Sequence, residues 1–408
     1  MDWYKGERDV TAIRQAQFAP PKQKAAGAGQ GIVVVLAGFL PILAIVALAP
    51  VVPRMVEQFA SVPGATTLVP LAVTAPGLMI ALFSPLMGWL ADRYGRRRLL
   101  LVSTFIYGVV GVAPYFLSDL TAIFASRLAL GLCEAAILTV TNTLIGDYFA
   151  QDQRRTWLMF QAAIGPVFGV SVLTFSGYLA AISWHVPFLI YAVAIPIFAA
   201  MLAFIYEPDV EDTRGSRDSS VAFPVRHAVL CGAVTLVSAS LYYVYIVQVG
   251  LAFGGIGVTS PETVGMLIGI ANVGVFIGGL LFKPISARLS SSWQIAIFLS
   301  LMGAGMAGIG LARSEQVMTL AACLQQLGAG ILIPALVLWA MNGLPAQHRG
   351  RGMGIWSACF FLGQFTSPLL VTGVGVFTAG IGGAFLALGV AALLCALAAR
   401  VFARSIDA

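Results

Sequence analysis

Glu134 and Arg127 are the residues of this chain most in need of a chemical explanation. Both lie inside a long apolar stretch, with Glu134 almost midway between residues 121 and 148. Seven residues separate them, which on a helix is two turns along one face, roughly 10 Å. An ionisable group at bilayer depth is costly unless it has a partner or a task. One task is to bind and release a proton, for which the opposing pulls of burial and a nearby cation are suited. Another is a cation–acid couple facing a cavity and joined through water or solute. The structural alternatives are a protonated acid that only packs helices and an arginine that only organises its neighbours.

A second cluster is GWLADRYGRRR, residues 88–98, with one acid and four arginines directly after an apolar run. Gly88 stands four residues before Asp92, on the same helix face, and permits another helix to approach closely. An acid at the end of a span suits the N-terminus of a neighbouring helix or an arginine. Together they predict a latch between helices. Further polar side chains fall in apolar runs: Gln161, Ser238, Tyr242, Tyr245, Gln248, Asn272, Gln325 and Gln364. Of these, Gln161, Tyr242, Tyr245, Asn272, Gln325 and Gln364 are the candidates for touching a solute. Ser238, Tyr242, Tyr245 and Gln248 share one helical face, which also suits an interfacial belt or helix–helix hydrogen bonds.

The elements that position these residues are written in the composition. Of 408 residues 59% are hydrophobic and 10% charged, with a mean hydropathy of +0.92, far from a soluble domain. Runs of about 20 apolar residues cross a bilayer as helices, because a helix satisfies its own backbone in oil. Twelve such runs are predicted, at about 31–53, 67–91, 99–117, 121–148, 156–182, 186–206, 228–254, 264–283, 293–312, 316–343, 353–377 and 380–402. They divide the chain into a polar arm (1–30), a first six-helix bundle (31–206), a polar linker (207–227), a second bundle (228–403) and a short tail (404–408). The linker is acidic in its first half, Ser-rich and poor in core-forming residues.

With the N-terminus inside, twenty of the 23 Lys and Arg fall on the inner side and two, Arg54 and Arg313, on the outer. This bias places both termini and the linker in the cytoplasm, with the inner membrane as the expected location. It also accounts for the net charge of +6 without nucleic acid. No short apolar segment with a cleavage site opens the chain, so a signal peptide is not expected. Cys133, Cys231, Cys323, Cys359 and Cys395 all fall in spans without metal-ligand spacing and read as packing residues. His185, His227 and His348 lie near span ends, away from any acid cluster, and no GxxxxGK[ST] loop is present. An enzyme, a metal site, a cofactor and ATP-driven transport are therefore not expected.

The run Gly88-Trp-Leu-Ala-Asp92-Arg93-Tyr-Gly95-Arg96-Arg97 resembles the signature G-x-x-x-D-R-x-G-R-R of the major facilitator superfamily, between its spans 2 and 3. Arg127-Leu-Ala-Leu-Gly131 is similar to that family's R-x-x-x-G element in span 4, and Gly146-Asp147 to the end of that span. The turn Gly279 to Arg288 and the sequence Ala346-Gln347-His348-Arg349 echo the first half, with Lys283 where the first half has its acid. The resemblance implies two pseudo-symmetric six-helix bundles with the pathway between them. It also implies a cytoplasmic gate: Gly88 against span 11, Asp92 at that helix's N-terminus, and Arg96 bridging Asp92 to Asp147.

Two branches are similar at Arg127-x-x-x-Gly131-x-x-Glu134-Ala: organic-anion:cation symporters and spinster-type transporters, where the glutamate takes part in proton coupling. Those branches commonly carry a further acid in span 1, which this chain lacks. Gly165-Pro166-Val-Phe-Gly169 resembles part of the span-5 motif of drug–proton antiporters, and small residues at this spacing also pack helices. The expected function is a proton-coupled transporter of an amphipathic or lipophilic solute, with export ahead of organic-anion uptake. The expected partners are that solute, protons and the bilayer, and the expected state is a monomer. A membrane sensor that keeps the fold without transport is the reading from another class.

Overall fold

The computed structural model describes residues 26–149, 151–208, 222–345, 348–378 and 380–407. Among these, eleven helices are long and apolar enough to cross a membrane. A twelfth crossing is the helix Gln151–Ile182, whose apolar part is Val167–Ile182. The protein is all-α, with no strand among the described residues. In chain order the first six spans are span 1 (Ala28–Val46), span 2 (Ala65–Tyr94), span 3 (Arg96–Tyr115), span 4 (Leu120–Tyr148), span 5 (Gln151–Ile182) and span 6 (Val186–Phe204). The remainder are span 7 (Val225–Gly255), span 8 (Pro261–Arg288), span 9 (Ser291–Leu311), span 10 (Glu315–Asn342), span 11 (Arg349–Gly375) and span 12 (Gly380–Val401). Each overlaps its predicted run, although span 1 ends at Val46 rather than near 53. Span 7 begins at Val225 rather than near 228, so the last linker residues are helical. Most of the arm, 1–25, and most of the linker, 209–221, lie outside the described residues.

Several spans start at caps that sequence chemistry dictates. Asp119 accepts the Ala122 N–H at 2.7 Å before span 4, and Ser260 and Ser314 accept from the first turns of spans 8 and 10. Span 1 is less regular because its turns tighten after Ile45. The N–H groups of Leu48 and Val51 bond the carbonyls of Ile45 and Leu48, three residues back. That frees the carbonyls of Ala44 and Ala47, which in a membrane need a partner. Tyr191 of span 6 donates to Ala44 at 2.6 Å, and Ser176 of span 5 donates to Ala47. The break is thus held by neighbouring helices.

The two halves meet at the end far from the linker. The hydroxyls of Thr67 (span 2) and Thr372 (span 11) lie 2.9 Å apart. Further along the same pair, a Cβ on Gly77 would stand 2.8 Å from the Phe361 carbonyl oxygen. Spans 5 and 8 touch through Gly177 and Gly265, where a Cβ on Gly265 would lie 3.2 Å from the Gly177 Cα. Arg54 donates to the Ala180 and Ala181 carbonyls at 2.9 and 3.2 Å, closing the last turn of span 5. Toward the linker end these pairs part. At that end Asp92 of span 2 is 60% exposed, and the nearest neighbour to a Cβ on Gly88 is Thr139 of its own half rather than span 11. The halves therefore form a V, shut at the far end and open at the linker end.

Candidate coupling site and gate

Span 4 runs up the middle of the first half, and Gly131 sets its distance from span 2. A Cβ there would lie 2.6 Å from the Pro76 Cα and 2.7 Å from its carbonyl oxygen, so only glycine fits. This close approach fixes the depth of both ionisable residues on span 4. Arg127 and Glu134 are each 1% exposed. Arg127 donates from Nη2 to the carbonyls of Val110 and Gly111 in span 3, at 3.2 and 3.1 Å. Its guanidinium also lies 5.3 Å from the Phe188 ring centre and 5.0 Å from that of Tyr191. It is therefore turned into the first half, held by spans 3 and 6. Of the two readings open for Arg127, this geometry matches an arginine that organises its neighbours: Nη2 reaches sideways to span 3, while Nη1 has no hydrogen-bond partner.

Glu134 keeps a buried Oε1 without a hydrogen-bond partner. Within its own half it stands in electrostatic reach of Arg127 and Tyr107, and across the seam it reaches Tyr243 of span 7. Tyr243 belongs to an aromatic cluster that sequence patterning did not single out. Phe360 of span 11 lies 5.6 Å from Tyr243 and 6.4 Å from Tyr242, and stacks on Trp356 at 5.3 Å. The buried Trp356 Nε1 has no partner. The signal for this cluster was the pair of adjacent tyrosines in span 7 and the aromatic spacing at i and i+4 in span 11, both of which also fit plain packing.

The other solute candidates separate. Gln161 is half-buried where spans 1, 4 and 5 meet, its Nε2 occupying the space beside Gly38. Gln364 is buried at the seam of spans 2 and 11, against Gly77. Tyr242 is half-buried beside the aromatic cluster. Asn272 accepts a hydrogen bond from Gln326, inside the second half. Tyr245 and Gln325 are fully buried there, their polar ends unpartnered. Gly165 faces the Phe39 ring of span 1 and Gly169 faces open space, while the Pro166 side chain lies outside the description.

At the turn between spans 2 and 3, Gly95 has φ +95°, a left-handed conformation that favours glycine. Arg96 pairs with Asp147 at the end of span 4 and lies 3.8 Å from Asp92, the bridge that the family resemblance implies. Arg93 lies over the rings of Trp89 and Tyr94, and Arg97 donates from Nε to the Ile205 carbonyl at 2.6 Å. The rest of the latch is apart in this conformation. Asp92 is 60% exposed, and the nearest neighbour to a Cβ on Gly88 is Thr139 of span 4, not span 11. The linker end is open, so span 11 stands away. Sequence reasoning missed Glu207, whose carboxylate accepts the Arg96 and Arg97 N–H groups at 2.6 and 2.9 Å. It reads as the first residue of a polar linker, yet it caps span 3.

Among the described residues, eleven long apolar helices and the shorter apolar part of span 5 lie in two halves, shut against each other at one end and parted at the other, the arrangement of a membrane transporter. The chain belongs to the Major Facilitator Superfamily, whose family model matches residues 34–229 and 228–406; this is a family of transporters, not of enzymes. It is 25% identical over 318 residues to the class G tetracycline resistance protein of Vibrio anguillarum, covering 74% of this chain and 79% of that one. Among solved structures it is similar to a bacterial homologue of the human lysosomal transporter Spinster in an inward-facing, occupied conformation. That match has a TM-score of 0.74 and 15% identity and covers 92% of this chain and 96% of the other. A D-xylose–proton symporter superposes with a TM-score of 0.73 at 16% identity, over 91% of this chain and 96% of that one.

Proposed function

We propose that this transporter exports a small amphipathic or lipophilic organic solute in exchange for protons, with Glu134 carrying the proton. The observation that carries the reading is the Glu134 carboxyl, buried mid-span at 1% exposure with an unpartnered Oε1. When the halves rock, its access to water changes. A buried carboxyl and a hydrated one hold a proton with different strength, so protonation is linked to conformation, and through it to solute occupancy. The aromatic wall of Tyr243, Phe360 and Trp356 beside this acid suits an apolar ring system. A relative named for tetracycline resistance favours export of a drug-sized compound.

Uptake of an organic anion is the second reading. It is weakened by Arg127, whose guanidinium is turned into the first half, with Nη2 on span 3 carbonyls and the charge over the Phe188 and Tyr191 rings. On the same proposal the linker end is the cytoplasmic side of an inner membrane, because the lysines and arginines gather there. The V then opens inward. Residues 31–206 and 228–403 act as the rocking bundles, and Gly88 and Asp92 reach span 11 when the cytoplasmic end shuts.

The test is transport in proteoliposomes under an imposed pH gradient, beside solute-for-solute exchange. Glu134→Gln, a mimic of the protonated acid, is expected to abolish gradient-driven accumulation and to retain exchange. Uphill transport by that variant would remove Glu134 from the mechanism, and with it the coupling proposed here. Solute binding without flux in the unaltered protein would favour a sensor.

A further inference from the structure

On the flank of the second half, at the linker end, spans 7, 9 and 12 leave a cavity of about 710 Å³ between them. Its walls include Val229, Leu230 and Val234 of span 7, Ile295 and Leu299 of span 9, and Phe402 just after span 12. Val229 and Phe402 are 64% and 63% exposed, so the cavity opens sideways, into the bilayer. Two polar groups mark its ends. Arg226 stands at the mouth, exposed and free of any hydrogen bond, ion pair or ring contact among the described residues. Ser238, on the wall about 18 Å further along the helix, is buried to 1% exposure with an unpartnered hydroxyl.

The start of span 7 adds donors. Pro224 caps it without a side-chain hydrogen bond. The Val225 and Ala228 N–H groups are taken by the Phe223 and Pro224 carbonyls, which leaves those of Arg226 and His227 for an anion. Span 7 has 31 residues, about 46 Å of helix against a hydrocarbon core of about 30 Å, so its first turn stands at headgroup level. The first half is built differently. Span 1 begins at Ala28 without a cation, and a Cβ on Gly29 would lie 2.8 Å from the Phe204 ring, so the matching crevice is closed by direct packing.

We infer that this cavity binds an anionic glycerophospholipid of the surrounding leaflet. The phosphate sits on Arg226 and the first turn of span 7, and one acyl chain lies along the apolar wall toward Ser238. A cation facing outward at the mouth of an apolar slot is complementary to such a lipid, and a zwitterionic one leaves that cation less well matched.

The experiment uses the full chain, delipidated in detergent and titrated with phosphatidylglycerol, phosphatidylcholine of the same acyl chains, or inorganic phosphate. Retained lipid is counted by native mass spectrometry, and melting temperature is followed in parallel. Phosphatidylglycerol is expected to be retained preferentially and to raise the melting temperature, with phosphate alone doing neither. Arg226→Gln should weaken phosphatidylglycerol binding about fivefold, or ~1 kcal/mol, and phosphatidylcholine binding by less. Ala233→Trp, which fills the slot, should abolish retention with Arg226 intact. Leu230→Phe, a smaller intrusion, should lower it, and the lipid-free melting temperature of each variant checks its fold. Equal retention of both lipids, stabilisation by phosphate alone, or undiminished binding in folded slot-filled variants would overturn the assignment.

Discussion

Each half of the molecule fastens the tail of its last span in the same way, with different side chains. In the first half, Glu207 accepts the N–H groups of Arg96 and Arg97 at the start of span 3, and Tyr148 near the end of span 4 donates to the Tyr206 carbonyl. In the second, Asp407 accepts the Ser292 N–H at 2.8 Å and the Ser290 and Ser292 hydroxyls at 2.9 and 2.7 Å, at the start of span 9. There Trp339 near the end of span 10 donates to the Ile406 carbonyl at 2.9 Å. A carboxylate quiets the free N–H groups and the helix dipole, while an aromatic donor takes the carbonyl one residue earlier.

Deeper in, the likeness stops. Counted from the caps Asp119 and Ser314, the positions of Arg127 and Glu134 in span 4 correspond to Ala322 and Ala329 in span 10. The second half instead buries the neutral amides Gln325 and Gln326, the latter donating to the half-buried Asn272. The repeat has kept what holds helices together and confined the ionisable chemistry to one side of the seam.

The largest expected effect comes from removing the asymmetry. Arg127→Leu removes two hydrogen bonds to span 3 carbonyls and the cation over the Phe188 and Tyr191 rings. A loss of about 3 kcal/mol is expected, from charged hydrogen bonds and ring contacts together. It would be read as a fall in melting temperature in detergent. A variant that melts like the parent would show that the buried charge has no structural role. Next come the paired clasps. Glu207→Gln and Asp407→Asn are each expected to cost about 1 kcal/mol and to add in the double variant, since they lie in different halves. A clear loss for one and none for the other would break the symmetry of the clasps.

Smaller still is the gate. Asp92→Asn should leave melting unchanged, because the carboxylate is exposed in this state. It should shift the balance away from the linker-end-closed state by roughly two- to fivefold, seen by labelling cysteines on either side of the seam. An unchanged balance would remove Asp92 from the latch. The smallest effect is with pH. Burial alone would push the Asp407 carboxyl up, but the hydroxyl and N–H of Ser292, with Ser290 and Arg400, hold it below the usual carboxylate range. Its folded state therefore binds a proton less readily than its unfolded state. The resulting stability is present above the ordinary carboxylate pKa and is lost as pH falls through the lowered folded value. The stability gap between the parent and Asp407→Asn should narrow on acidification, and a constant gap would refute that role.

Much of this was legible because it is local. Spans follow from runs of apolar residues, since each helix satisfies its own backbone whatever its neighbours do. The caps Asp119, Ser260 and Ser314 stand next to what they bond. The bridge from Arg96 to Asp147 was legible only through the family resemblance, which implies that pair; charge and hydropathy alone placed both groups at the same end of their helices. Side-chain reach and the choice of neighbour were not local. Periodicity put Arg127 and Glu134 on one face, but which carbonyls Arg127 could reach depended on Gly111, where a Cβ would stand 2.6 Å from that of Tyr191. Glu207 and Asp407 looked like linker and tail, and only the return of spans 6 and 12 to the starts of spans 3 and 9 made caps of them. The latch was half legible for another reason. Sequence states which groups can meet at the linker end, whereas Asp92 meets span 11 only in a packing of the halves other than this one. Hydropathy and spacing thus determined the helices, their number and the site of the ionisable groups. Tertiary structure alone decided which orphaned backbone group each polar side chain satisfies and where the second half stays open, because those depend on distances between segments far apart in the chain.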